Sequence, residues 1–316
     1  MERTTRAGPG SPGSGCDNCP VPQRQANLPP LALRLSLNAV AAGVQALGRH
    51  RYRISDPIGN AAFALQPRRR RVTIGNYRAV FPRLTRREAR RLAARSYREY
   101  ARTSIDFLYA SGLPRARVVS EMRGCGIEAN ILSRQLEGKP GILVLIHHGS
   151  WDVPAALAAA NGISLTAVMA DEGSVTMSEL IIWARGKIGV QAVLASRSPR
   201  YLLQRLRSGR WLGLVVDIPG NTPSVEVEFL NHRTRFSAAA GILAARTGAP
   251  LVPTTCVRTP NGGYLVEVHP PVAVGPGTDP AEALRRIIPV FEAAVRRWPE
   301  QWFPFSQDRL LDLPVA

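Results

Sequence analysis

Lysine is nearly missing from this chain. Lys139 and Lys187 are its only two, although lysine and arginine together number 41 against 23 aspartates and glutamates. The positive charge is therefore arginine charge, permanent and shaped for two-pronged contact with phosphate or carboxylate. Cysteine is scarce as well: Cys16, Cys19, Cys125 and Cys256 make no disulfide framework in 316 residues. Cys16 and Cys19 have CxxC spacing, but no second pair or histidine cluster completes a zinc site, so no metal is expected. Aromatics reach only 6%. No helix-turn-helix, zinc-finger or RNA-binding signature accompanies the charge, which removes nucleic acid from the expected partners. The P-loop and the G-x-S-x-G elbow are lacking and no G-x-G-x-x-G follows a strand, which removes the chemistries these motifs serve. No secretory signal opens the chain. Its first apolar run begins near Leu28, so a cytoplasmic location is expected.

What is present is unevenly spread. Residues 1–123 carry 23 basic and 7 acidic residues, and the rest of the chain 18 and 16. Without nucleic-acid signatures, such a basic portion points to an anionic membrane surface. Residues 1–27, rich in Gly, Pro and Ser, bury too little apolar surface to order themselves and are expected to be a disordered tail. Residues 28–123 read as a basic, mainly helical membrane-proximal segment and 124–316 as an α/β core, with 28–316 as one structural unit. Within 31–48, Arg34, Asn38 and Gln45 interrupt an apolar run. Leu33, Leu37, Val40, Val44 and Leu47 share one helical stripe, which predicts an amphipathic helix lying in the headgroup region. Arg49, Arg51, Arg53 and the run Arg68–Arg71 would supply its contact with anionic lipid. Thr85 and Glu88 have capping-box spacing and open a helix reaching about Gly112. Its Leu92, Tyr97, Tyr100, Ile105, Leu108 and Tyr109 are expected to face the core.

Beyond residue 124 the pattern alternates. Strands are predicted at 141–146, 164–169, 190–194, 212–217, 225–229, 251–257 and 263–269. Helices are predicted at 125–137, 152–161, 175–188, 199–208, 236–248 and 280–298. Alternation with short connections predicts an α/β fold, a mostly parallel central sheet flanked by helices. The last two strands, joined by Thr259–Gly263, read as an antiparallel hairpin. Asp279 and Pro280 open the final helix, which Pro289 kinks.

The chain's most informative stretch is an apolar run, Gly141–Ile146, that ends in His147. With no alternation it reads as a buried parallel strand, and chemistry in open α/β sheets sits beyond the carboxyl ends of such strands. Asp152 follows five positions later. On one continuous helix the two would lie about 140° apart; on a strand-to-helix turn they meet. Gly149 permits the turn, Ser150 caps the helix, and a carboxylate is favoured in its first turn. His147 and Asp152 are therefore expected to form a dyad. Asp152 would accept one imidazole N–H, and the other nitrogen would take a proton from a substrate hydroxyl. His148 reads as a wall or turn residue. His232 and His269 stand in other segments without metal-ligand spacing.

The order of motifs resembles the bacterial lipid A late acyltransferases (lauroyl/myristoyl acyltransferase superfamily), including the phosphatidylinositol mannoside acyltransferases, within the wider HxxxxD glycerolipid acyltransferases. The likeness runs from about Arg71 to Leu311. It is carried by Asn76 with Phe81–Glu88, by Gly138–Asp152 (the H-x-G-N-W-E/D block) and by Arg185–Val190 (R-x-x-x-G-V). Leu206–Asp217, Val225–Asn231, Ala244–Pro253 and Trp298–Trp302 complete it. The resemblance implies a glycerolipid-acyltransferase-like fold and transfer of an acyl group from acyl-CoA or acyl-carrier protein, as co-substrate, to a lipid or glycolipid hydroxyl. No other cofactor and no acyl-enzyme are implied. His147 would be general base with Asp152 its partner. Arg185 and Asp217 carry over to pocket positions, with His148, Gly149 and Ser150 on the rim of the substrate site. Read without the resemblance, Arg185 is a surface charge at a helix end and Asp217 a strand-end carboxylate. The chain departs from the family pattern at Ser150 (usually Asn), at His148 (usually apolar) and at Met169–Glu172, where an R-P element is usual. Asp at 152 and an amphipathic N-terminus are similar to the mannoside acyltransferase branch.

The expectation is an acyltransferase held peripherally at the cytoplasmic face of the membrane. Its rivals are an acyltransferase for a non-lipid specialised metabolite and a catalytically silent protein that binds membrane or nucleic acid through its basic portion.

Overall fold

The computed structural model describes residues 28–121, 139–169, 174–196, 199–220, 222–261, 263–306 and 310. The expected tail 1–27, Cys16 and Cys19, and the predicted helix 125–137 lie outside the described residues.

Pro30 precedes the first helix, α1 (Leu31–Leu47), which stops at Gly48 with φ +49. A 3-10 turn, Gly48–Arg51, redirects the chain into α2 (Tyr52–Leu65), and Pro67 opens α3 (Pro67–Val80) from the first-turn position that suits proline. The long helix α4 (Arg86–Ser111) starts at the predicted capping box, Thr85 and Glu88 each bonding the other's backbone N–H. Leu92, Tyr97, Ile105 and Tyr109 of α4 are buried as expected. Tyr100 is not: it lies on the surface, against the rings of Trp151 and Phe303. The apolar stripe expected along α1 is also divided. Val44 and Ala41 pack inward, Val44 in the cluster around Ile105 and Tyr109, while Leu31, Leu33, Leu35, Val40 and Leu47 remain exposed. One helix face cannot both pack on α4 and enter a bilayer, and the tertiary contact claims the 41/44 side.

The central sheet has the order β3-β2-β4-β1-β7-β8, with β1 (Ile142–Leu145), β2 (Leu165–Met169), β3 (Gln191–Leu194), β4 (Trp211–Val215), β7 (Leu251–Arg258) and β8 (Tyr264–Val268). All its pairs are parallel except β7 with β8, the predicted hairpin. The fold is thus α/β with a mostly parallel sheet. Strand β1, apolar throughout, lies between β4 and β7 and is buried at every position.

Two elements differ from expectation. Residues 232–237, partly assigned to a helix, form β6 (His232–Ser237), paired with β5 (Ser224–Phe229) in a separate two-stranded ribbon. Alternation explains it: Arg233 and Arg235 point out while Thr234 and Phe236 are buried. Leu230 and Asn231 turn the chain with φ +56 and +64, a hairpin geometry usually signalled by Asn-Gly. The final helix is two, Pro280–Arg285 and Ile288–Arg297, with Pro289 in the first turn of the second, so the proline restarts a helix instead of bending one.

The N-terminal helices are tied to the sheet by buried charge. Asp106 of α4, wholly inaccessible, accepts from Arg51 Nε at 2.6 Å and Tyr52 OH at 3.1 Å, and also from Arg258 and Tyr264 of the β7–β8 hairpin. Arg258 in turn reaches Glu99 at 3.3 Å. Breaking one partner from such a cluster leaves an unpaired buried charge, at a cost of about 3–5 kcal/mol.

Candidate active site

Parallel pairing of β1 with β4 sets Leu145 opposite Val215. Two residues further along both strands, His147 stands opposite Asp217. Here side chains leave the carboxyl edge of the sheet. The His147 ring Nδ1 lies 2.8 Å from Asp217 Oδ1, and the His147 backbone N–H donates to both carboxylate oxygens at 3.0 Å. Asp217 is 1% exposed and His147 28%. A carboxylate receiving the backbone N–H is fixed as an acceptor, so it takes the Nδ1 proton and leaves Nε2 as the basic nitrogen. Nε2 makes no hydrogen bond among the described residues, and the edge of Trp151 packs beside the ring at 5.0 Å.

The expected pairing of His147 with Asp152 is not what the chain adopts. Asp152 opens the helix Asp152–Ala160, as predicted, but its Oδ1 accepts from Arg185 Nε at 2.8 Å. The physical reason is charge and reach. The guanidinium is a permanent cation that arrives from the helix Val175–Lys187 on the far side, while the imidazole is already held by a carboxylate in register with it. Arg185 also lies 3.3 Å from Met169 Sδ. Sequence reasoning had both acids and the arginine, but paired the wrong acid with the histidine.

His148, Gly149 and Ser150, expected on the substrate rim, build the turn instead. His148 is buried, its Nε2 donating to Trp298 O at 3.0 Å. Burial pushes its pKa down to about 4, against smaller upward pulls from that carbonyl and from Asp217, so the ring is neutral. Gly149 has φ +64, and a Cβ there would lie 1.8 Å from the Cys256 carbonyl oxygen, so only glycine fits. Its N–H donates to Gln301 O at 2.7 Å and its carbonyl accepts from Thr103 Oγ1 at 3.1 Å. Ser150 N–H donates to that Cys256 oxygen at 2.9 Å, and the Ser150 hydroxyl accepts from Val153 N–H at 3.2 Å.

Next to Trp151, the residue packed on the His147 ring, an apolar slot of about 40 Å³ runs between the helix Asp152–Ala160 and the sheet. Leu143, Leu145, Leu165, Gly213 and Val215 form its floor, and Trp151, Asp152 and Arg185 stand among its walls. A larger groove of about 700 Å³, with Phe81, Leu84, Leu92, Arg91 and Arg95 among its lining residues, shares none with the slot. The arrangement suits proton removal from a hydroxyl at Nε2, next to an apolar chain and one fixed cation.

Against known proteins, the chain matches the family described as bacterial lipid A biosynthesis acyltransferase over residues 27–310. It is 26% identical over 180 residues to a phosphatidylinositol mannoside acyltransferase of Mycobacterium tuberculosis (strain CDC 1551 / Oshkosh), covering 56% of each chain. The enzyme of that name from Mycolicibacterium smegmatis is 24% identical over 180 residues, 56% of this chain and 59% of the relative. The chain thus spans little more than half the length of the curated relatives it matches. Among solved structures it is similar to the 1-acyl-sn-glycerophosphate (LPA) acyltransferase PlsC from Thermotoga maritima, at 17% identity and a TM-score of 0.37, covering 79% of this chain and 99% of that one. A likeness that distant has no bearing on the chemistry.

Proposed function

Because the chain belongs to the bacterial lipid A biosynthesis acyltransferase family, we propose that it transfers a fatty acyl group from an acyl-CoA or acyl-carrier-protein thioester to a hydroxyl of a membrane lipid or glycolipid. The observation that carries this reading is the His147–Asp217 pair, with Nε2 unbonded among the described residues and an apolar slot walled in part by Trp151, whose ring packs on His147. His147 Nε2 takes the proton of the acceptor hydroxyl as its oxygen attacks the thioester carbonyl, and Asp217 stabilises the imidazolium. Attack forms the C–O bond, and collapse of the tetrahedral intermediate breaks the C–S bond. The imidazolium returns its proton to the departing thiolate, so no acyl-enzyme is needed. Arg185, held by Asp152, brings a fixed positive charge to the slot, suited to a phosphate on donor or acceptor. A long acyl chain lies in the slot by spreading its walls.

The acceptor is read as a membrane amphiphile because the N-terminal helices leave Leu31, Leu35, Val40, Ile54, Ile58 and Leu65 exposed, and the arginine run of α3 follows directly in the chain. The run from Leu31 to Leu65 has the length and apolarity of a span, but it is broken at Gly48–Arg51. Two short helices lying in the interface of the cytoplasmic leaflet fit that break, with each basic residue near an anionic surface adding roughly 1 kcal/mol. The test is thioester turnover on anionic vesicles with a panel of lysolipids, glycolipids and water-soluble alcohols. The expected result is thiol release matched by ester on a lipid acceptor, and no turnover by folded His147→Ala. Full activity of that variant would sink the mechanism, and acylation of soluble alcohols alone would sink the lipid acceptor.

A further inference from the structure

Two resembling motifs, Asn76 and Trp298–Trp302, have no part in the chemistry above, yet both meet behind His147. The segment Trp298–Phe303 is a strap laid across the catalytic turn. Phe303 N–H donates to His147 O at 3.2 Å, Gln301 O accepts from Gly149 N–H, and Trp302 bridges to His148. The strap's outer side is bound by the N-terminal helices. Tyr77 OH donates to Trp302 O at 2.7 Å, Ser96 Oγ donates to the same oxygen at 2.7 Å, and Asn76 Nδ2 reaches Pro304 O at 3.0 Å.

The buried side chain of Gln301 closes the arrangement. Its Oε1 accepts from Arg258 N–H and its Nε2 donates to Arg258 O, both at 2.8 Å. Strand β1 stops pairing with β7 at Val144 and Pro253, where it turns away toward His147. The backbone groups of β7 beyond that point need other partners. Cys256 O is taken by Ser150 N–H, and Arg258 by the Gln301 amide, which mimics a strand at that edge. One residue thus ties the end of β7 through its side chain and the catalytic turn through its carbonyl.

We propose that Gln301 is a positioning residue for acyl transfer: it fixes the Gly149 turn to β7 and so holds His147 in register with Asp217. The proposal rests on His147 acting as the base. No residue of the strap is among those lining the apolar slot, so loss of the clamp acts on alignment and leaves thioester binding alone. Misplacement of a reacting group by an ångström costs about 100-fold in rate.

The experiment compares Gln301→Met, which keeps the volume without the amide, Gln301→Ala, and Glu300→Gln as a neighbour that bonds neither the turn nor β7. The expected result is kcat lowered about 100-fold in both Gln301 variants, an unchanged KM for the thioester, and an unaltered Glu300→Gln enzyme. Hydrogen exchange should quicken in the peptide covering 147–151 while exchange over β2 and β3 stays as it was. A folded Gln301→Met with full kcat and unaltered exchange overturns the proposal, as does a matched rise in KM or an equal loss in Glu300→Gln. Should Gln301→Ala fail to fold, Gln301→Met decides. Activity in His147→Ala would remove the base reading itself, whereas an inactive His147→Ala beside a fully active Gln301→Met would remove only the strap.

Discussion

Replacing Asp217 by asparagine tests the division of labour between the two aspartates. The carboxylate receives the His147 ring N–H at 2.8 Å and the backbone N–H at 3.0 Å. An amide of the same size has one accepting oxygen and one donating nitrogen, so one of these two donors must face N–H. With the amide nitrogen at the Oδ1 position it donates to Nδ1, and the ring carries its proton on Nε2, the atom that should accept one; with the oxygen there, the amide nitrogen is set against the backbone N–H at 3.0 Å. The negative charge that stabilises the imidazolium is lost as well. A unit charge pair about 4 Å apart at an effective dielectric of about 20 is worth about 4 kcal/mol, or about a thousandfold in rate. Serine protease triads, where an aspartate does the same work, lose about 10⁴ on the equivalent change. Asp217→Asn is therefore expected to lower kcat by about 10³–10⁴ with the fold intact. Asp152→Asn loosens Arg185 and weakens one charge-assisted bond, costing about 10- to 100-fold in kcat/KM. A thiol-release assay with circular dichroism on both variants checks the pair. If folded Asp217→Asn kept about a tenth or more of the kcat while Asp152→Asn were silent, the orienting acid would be Asp152 and the register argument would be wrong.

Other outcomes follow from the turn. Gly149→Ala forces a Cβ onto the Cys256 carbonyl at a positive φ, where the backbone strain alone costs about 1–3 kcal/mol. Urea unfolding should show the loss, with turnover falling too; an unchanged midpoint would mean that the turn yields. His148 contributes a pH term of known sign. Its folded pKa of about 4 lies below the ordinary 6.5, so between those values the unfolded chain binds a proton that the folded chain refuses. Stability from this group is complete above about pH 6.5 and declines until about pH 4, by about 3 kcal/mol in all. His148→Gln, which keeps a donor for Trp298 O, should flatten that limb of the stability curve, and a profile parallel to wild type would contradict the buried neutral ring.

The local pattern was enough for much of the architecture. Apolar runs of strand length alternating with helical segments determined the parallel sheet, Thr85 with Glu88 determined where the long helix begins, and Gly149 before Ser150 marked a strand-to-helix turn. His147 and Asp152 were visible as candidates because one ends a strand and the other opens a helix, whereas Arg185 and Asp217 stood out only through the family resemblance. Other features depended on partners far away in the chain. Period two in Arg233–Phe236 is too short to outweigh a neighbouring helical pattern, and without Asn-Gly the turn at Leu230 and Asn231 carried no signal. The α1 stripe did not reveal that α4 would cover Val44.

The same limit governs the site. Spacing places Asp152 five residues from His147, so sequence proximity favours that pair; hydrogen bonding in the sheet sets β4 beside β1, so spatial register favours Asp217, 70 residues away. A chain read in one dimension determines which groups are available and where each element ends. Which acid meets the imidazole is decided by strand order, a property of how the whole sheet packs.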